Sequence, residues 1–197
     1  MTEPVGLRER KKWRTRRVLI ETAYRLFEQQ GYDRTTTAEI AAAAEVSAAT
    51  FFNHFATKED LLLTDDGEHI LRAGLDVLAE RRSAETAFEV LRRAMHRMLI
   101  EAGTGIRDPG GEPERIRLDL ITSVPALRAT MLQRAFDAQQ RLSAALVLAC
   151  EGELDETDAA AMVGAVTGAV FAAGQLAVRT GGPLDDAMRR AIDLATR

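Results

Sequence analysis

The chain has 197 residues, 46% hydrophobic and 28% charged, a globular balance that excludes a disordered polymer. The length suits one large domain or a small domain fused to a larger one, and Cys150, the only cysteine, excludes an internal disulfide or a cysteine-based zinc site. The net charge of −4 argues against a polyanionic partner until its distribution is read: Arg8, Arg10, Lys11, Lys12, Arg14, Arg16 and Arg17 crowd the N-terminus, opposed there only by Glu3 and Glu9. That basic start has no apolar core, so a secretory signal is not expected and a reducing cytoplasm is.

Taken in chain order, almost every segment is predicted to be helical, because Leu, Ala, Arg and Glu dominate and β-branched runs are scarce. Between Arg8 and Gln30 the residues Val18, Leu19, Ala23, Leu26 and Phe27 recur at helical spacing, and Gly31 suits the stop. Thr36 starts a short helix, with Glu39 three residues on to complete a capping box and with Ile40, Ala41 and Ala44 on its buried side. Ser47 opens a second short helix to about His54, whose inner side carries Phe51 and Phe55. Thr57 and Asp60 form a further cap, before a long helix over 58–80.

Ser83 to Ala102 repeats the helical pattern with Phe88, Leu91, Met95 and Leu99. Residues 103–114 are rich in Gly and Pro and form a loop. A short helix is expected over 114–123, and Pro125 begins a long one that ends near Cys150. Acidic residues at 155–158 suit the start of the next helix. Its core, Ala159 to Val178, has no charge over twenty residues and so meets the length rule for a membrane span. Eight of those residues are Ala and three are Gly, which is weakly hydrophobic for a span. The expectation is instead a helix buried on two sides, with Gly164, Gly168 and Ala172 on one face allowing close approach of a second subunit. Gly181, Gly182 and Pro183 break it, and Leu184, Met188, Ala191, Ile192 and Ala195 stripe the last helix. The fold class is therefore all-α, with about nine helices.

The stretch from Thr36 to Phe55 carries the chemistry. Two short capped helices joined by a tight connection at Glu45 and Val46 have helix-turn-helix geometry. In that arrangement the second helix enters the DNA major groove by its N-terminal end. Its outward residues would be Ala48, Ala49, Thr50 and Asn53. The alanines permit close approach and a contact with a thymine methyl, and Asn53 suits adenine N6 and N7 or a phosphate. Thr36 and Ser47 are caps whose hydroxyls can also reach a phosphate. His54 can pack on its neighbours, and Lys58 can be a phosphate contact or an ordinary solvated lysine.

The run RRVLIETAYRLFEQQGYDRTTTAEIAAAAEVSAATFFNHFATKEDLLL resembles the N-terminal domain of TetR-family transcriptional regulators. The match covers about residues 14–65 and includes Leu26-Phe27, Gly31-Tyr32, Thr35-Thr36, Ile40-Ala41, Val46-Ser47, Thr50, Phe55, Lys58 and Leu61. The resemblance implies a DNA-binding domain over 1–57 and a helical ligand-binding and dimerisation domain over 58–197. It implies DNA contacts from Arg16, Thr35, Thr36, Thr37, Ser47, Ala48, Ala49, Thr50, Phe52, Asn53, His54 and Lys58. It also implies a homodimer, through Gly164, Gly168, Phe171, Ala172, Gln175, Met188 and Ile192, and a small-molecule effector. Two positions depart from the family pattern. Glu45 stands where the turn usually has Gly, and Phe52 stands where a Tyr hydroxyl usually bonds a phosphate. Residues 114–182 are more loosely similar to members that sense long-chain acyl-CoA esters. Met95, Met98, Met131 and Phe136 are candidate walls of a pocket, with His69, His96, Arg117 and Gln139 as polar points.

A helical-bundle enzyme is the competing class. A carboxylate-bridged metal site needs Glu-x-x-His on two helices, and the nearest pattern, Asp66 to His69, has no second copy. The pair Gly103 and Gly105 lacks the third glycine of a phosphate loop, and the histidines show no metal-ligand spacing. No catalytic residue, metal or cofactor is therefore expected. The expected function is a ligand-responsive regulator, a repressor that binds a palindromic double-stranded operator as a homodimer, with no membrane partner. An activator with the same DNA-binding domain, an enzyme and a helical adaptor for proteins are the alternatives.

Overall fold

The computed structural model describes residues 7–62, 66–104, 120–121 and 123–197. Nine helices lie among them: α1 (Leu7–Gln30), α2 (Thr37–Ala43), α3 (Ala48–Phe52), α4 (Glu59–Leu62), α5 (Asp66–Ala79), α6 (Ala87–Thr104), α7 (Pro125–Ala149), α8 (Glu156–Thr180) and α9 (Leu184–Ala195). The helix expected over 58–80 is described as α4 and α5, with residues 63–65 outside the described residues. Most of the expected loop at 103–114 and of the helix at 114–123 also lies outside them. The described residues form two compact units, 7–62 with 120–121 and 123–127, and 66–104 with 128–197.

In the first unit, α1 buries Leu19, Ala23, Tyr24 and Phe27 along one side. Gly31 then takes φ 86, a left-handed value that costs a glycine little, and its N–H closes on the Phe27 carbonyl at 2.8 Å. Tyr32 folds back onto Phe27, with ring centroids 5.1 Å apart. Ile40 and Ala41 of α2, Phe51 of α3, Phe55, and Leu61 and Leu62 of α4 complete the core. Because α4 packs on α1, this unit continues past residue 57, where the sequence places its end. Tyr32 Oη fixes the junction by donating to Glu59 Oε1 at 2.6 Å.

The second unit is built on aliphatic side chains. Leu71, Leu78, Val90, Leu91, Ala94, Met95, Leu142, Leu146, Val163, Val166 and Ile192 form one core. Helix α6 starts at Ala87, not Ser83, because Thr86 and Glu89 cap it reciprocally: Thr86 N donates to Glu89 Oε2 at 2.8 Å and Glu89 N to Thr86 Oγ1 at 3.3 Å. Gly74 lets Met98 lie against α5, since a Cβ there would come 2.5 Å from the Met98 Sδ. Arg81 ties two connections together, its own and the one after Ala149. It donates to the Glu85 carbonyl, to the Ala149 carbonyl at 3.0 Å, and to both Glu153 carboxylate oxygens at 2.8 Å. Cys150 is buried beside it, and burial pushes its thiol above the usual range.

Asp155 caps α8 by accepting from Asp158 N at 2.8 Å, and Gly181 ends it in the left-handed region. This helix is long and apolar enough to cross a membrane by length and composition alone. Ala159, Val163, Val166 and Ala177 are buried, α9 packs along it, and Leu184 and Met188 cover Gly174. On the opposite side Ala161, Ala165, Gly168, Ala172 and Gln175 are exposed in the single chain.

Candidate nucleic-acid interface

The platform for the interface is a pair of capped helices. Thr36 Oγ1 accepts from Glu39 N at 3.2 Å, and Glu39 Oε2 accepts from Thr36 N at 2.8 Å. These satisfy two backbone donors that the start of α2 would otherwise leave open. The Thr36 backbone bond first, then its hydroxyl, hold the Glu39 carboxyl below the usual range. Ser47 repeats the device on α3, accepting from Thr50 N at 3.0 Å and sharing a 2.8 Å hydrogen bond with Thr50 Oγ1.

Glu45 makes the turn between the two helices. Its φ of 56 is the positive value among non-glycine residues described, and it costs a side chain that glycine would spare. The Glu45 and Val46 amides bond back to the Ala42 and Ala41 carbonyls at 3.1 and 3.0 Å, which holds the turn closed. Behind α3, Phe51 is fully buried. Its ring meets Phe52 edge-on at 5.4 Å and Phe55 at 6.0 Å. Phe51 and Phe55 thus anchor the helix, as their four-residue spacing predicts.

Outward, Ala48, Ala49 and Asn53 are exposed and Phe52 is 54% exposed, while Thr50 is half-buried. Thr36 and Ser47 are exposed caps, and Thr37, the first residue of α2, is half-buried. Thr35 is a correction to the sequence expectation. It is 1% exposed, its hydroxyl donates to the Gly31 carbonyl at 2.8 Å, and it accepts from Gln30 Nε2 at 3.2 Å. A buried hydroxyl used in both directions closes the α1–α2 connection and offers nothing to a partner.

Two cations beside the platform are used inside the fold. Arg16 Nη1 donates to the His54 carbonyl at 3.0 Å and its guanidinium lies 4.2 Å over the Phe55 ring. Lys58 Nζ donates to the carbonyls of Tyr32 at 2.9 Å and Thr35 at 3.3 Å, and lies 4.1 Å over the Tyr32 ring. Each joins segments far apart in sequence, so spacing along the chain gives no signal for them. The His54 Nδ1 is buried with no hydrogen-bond partner. Burial first, then the charges of Lys12 and Arg16, push His54 below the usual histidine range. The Tyr32 hydroxyl is pushed up by burial and by its bond to Glu59.

Residues 19–64 match the family model described as "Bacterial regulatory proteins, tetR family". Over 153 residues the chain is 37% identical to the HTH-type transcriptional regulator TcmR of Streptomyces glaucescens, spanning 77% of this chain and 67% of that protein. The chain belongs to the TetR family. It is a DNA-binding transcriptional regulator, and that family is one of regulators, not enzymes. Solved structures share the fold. SmeT, the repressor of the Stenotrophomonas maltophilia multidrug efflux pump SmeDEF, superposes with a TM-score of 0.61 at 18% identity, over 91% of this chain and 87% of that one. The fatty acid degradation regulator FadR from Bacillus halodurans gives 0.57 at 18% identity, over 98% and 97%.

The second unit of this TetR-family chain disperses the residues expected to form a pocket. Met95 is buried in the core and Met98 packs against it. His69 is exposed and bonds Glu101 at 3.1 Å, and His96 bonds Asp193 at 2.8 Å. Met131 and Gln139 are half-buried, and Phe136 is 57% exposed. Arg117 lies outside the described residues. Two clefts open on this unit. One of about 330 Å³ is bordered by His69, Arg72, Asp76, Glu80, Arg97 and Glu101, the other, of about 310 Å³, by Arg82, Glu85, Glu89, Arg92, Arg93 and His96. Among the residues expected at a dimer interface, Gly168, Ala172 and Gln175 are exposed, and Gly164, Phe171 and Met188 are half-buried. Ile192 is a second correction: it belongs to the core of its own unit, because α9 turns it inward with Ala191.

Proposed function

We propose that this TetR-family regulator is a repressor that binds a roughly palindromic operator as a homodimer and is released by a small-molecule effector. The observation that carries this reading is the α3 platform, a capped helix anchored by Phe51 and Phe55 that holds Ala48, Ala49, Phe52 and Asn53 out to solvent. Two such helices, one per protomer, would enter successive major grooves. Thr36, Thr37, Ser47 and Thr50 would add phosphate contacts from the helix starts. Arg16, His54 and Lys58 would act by holding the platform. The exposed small-residue side of α8, which carries Ala161, Ala165, Gly168, Ala172 and Gln175, supports close packing of a second copy.

The effector would bind the second unit and favour the homodimer form whose reading helices no longer match the operator spacing, which requires unequal affinity for the two forms. A small apolar or acyl-type effector is supported by the similarity of residues 114–182 to acyl-CoA sensors, not by the two clefts, whose walls are charged. Such a regulator works in the cytoplasm, with access to the chromosome.

The test is binding of the full chain to its own upstream DNA against scrambled duplex, followed by transcription in vitro from that promoter. Selective binding with a mass of two chains per site, and less transcript as protein is added, is the expected result. Asn53→Ala should lose selectivity while remaining a dimer. More transcript on adding protein would make it an activator, and equal affinity for scrambled DNA would remove the operator.

A further inference from the structure

The outward face of α3 is free of charge. Between Glu45 and Lys58 no residue is acidic, lysine or arginine, and the one titratable side chain there, His54, has a buried Nδ1. At about 100° per residue, Ala48, Phe52, Ala49 and Asn53 fall in that order within one sector of roughly 140°. Three of the four are apolar. Phe52 meets fully buried Phe51 edge-on, so its half-exposed ring presents an apolar surface supported from behind. Thr50 lies outside that sector, with its hydroxyl on Ser47.

The commonest way to read guanine is a bidentate Arg or Lys on O6 and N7. This face has neither, and two cations beside it are held on carbonyls, Arg16 on His54 and Lys58 on Tyr32 and Thr35. An apolar side chain finds one complement on the major-groove edge of a base pair, the thymine 5-methyl group. An Asn finds its bidentate match in adenine.

We propose that α3 reads an A·T centre in each half-site, with Ala48, Ala49 and Phe52 against thymine methyl groups and Asn53 on an adenine. Phe52 thereby becomes a specificity-determining residue. This rests on α3 entering the major groove.

The experiment selects duplexes from a random pool with the full chain. The selected site is then resynthesised with deoxyuridine for thymidine at the half-site centre, a change that removes only the 5-methyl groups. The expected result is an A·T centre, and a loss of affinity of about fourfold for each contacted methyl removed, measured at one fixed salt concentration. Phe52→Ala should shrink the thymine-to-uracil ratio. Because the uracil arm uses the unaltered protein, it decides the matter even if that variant folds poorly. A G·C centre, or uracil and thymine duplexes bound equally, would overturn the base preference and leave groove entry standing. A pool with no enriched sequence would overturn groove entry, and this inference with it.

Discussion

The two units divide the aromatic residues unequally. In the first, Tyr24, Phe27, Tyr32, Phe51 and Phe55 are buried. In the second, Phe88 is 41% exposed, Phe136 57% exposed and Phe171 half-buried, and the core is Leu, Val, Ala, Ile and Met with Cys150. A small unit has few side chains with which to enclose a core, so each must bury a large area, and rings do that with few rotamers to lose. A ring core is also rigid, and rigidity is what a reading platform needs. Longer helices can use many small aliphatic contacts, which tolerate repacking.

The sharpest way to break this contrast is to truncate one ring in each unit. Phe51→Ala should cost about 3–5 kcal/mol, enough to melt the first unit and abolish DNA binding. Phe136→Ala should stay within about 0.5 kcal/mol, as for other exposed side chains. Denaturant titrations followed by circular dichroism measure both, and comparable losses would end the distinction. Lys58→Ala comes next. Removing the ammonium leaves the Thr35 carbonyl short of a donor, at about 1–3 kcal/mol, while the Tyr32 carbonyl keeps the Thr35 N–H at 3.2 Å. If Lys58 serves the fold, that loss appears without DNA, and the salt slope of DNA binding changes by less than about one. A normal midpoint with a flatter salt slope would instead make Lys58 a phosphate contact.

Glu45→Gly should raise the unfolding free energy by about 0.5–1 kcal/mol, seen as a higher denaturation midpoint. Relief of the left-handed conformation, about 1–2 kcal/mol, exceeds the added freedom of the unfolded chain. A lower midpoint would show that the Glu45 side chain contributes more than its strain costs. The smallest effect is pH-dependent. The folded chain holds His54 below its unfolded pKa of about 6.5, so as pH falls through that value the unfolded state takes up the proton first. Stability of the first unit should therefore decline as pH falls below about 6.5, well above the window in which the depressed Glu39 and Glu59 lose their contribution. His54→Gln should remove that slope, and an unchanged slope would assign it elsewhere.

Features set by near neighbours were legible in the sequence. The Thr36–Glu39 box, the Ser47 cap, the inward Phe51 and Phe55 and the strained Glu45 turn each depend on residues within a few positions. Arg16 and Lys58 looked like surface cations because the carbonyls they hold are 38 and 23–26 residues away in sequence. Thr35 looked like a contact for the same reason that Thr36 did, and only the path of the chain at Gly31 separates them. Periodicity marked Met95 and Ile192 as apolar positions. It could not say whether the surface they meet belongs to their own core or to a partner, since the same side chains satisfy both.

The buried thiol has a practical consequence. Cys150 is the single sulfhydryl of the chain, and burial both shields it and keeps it protonated. A cysteine placed at exposed Ala42, on the outer side of α2, would be the one sulfur open to a maleimide or nitroxide label. In the proposed homodimer two such labels would form a spectroscopic ruler, recording the spacing of the reading helices with and without effector on an otherwise unaltered protein.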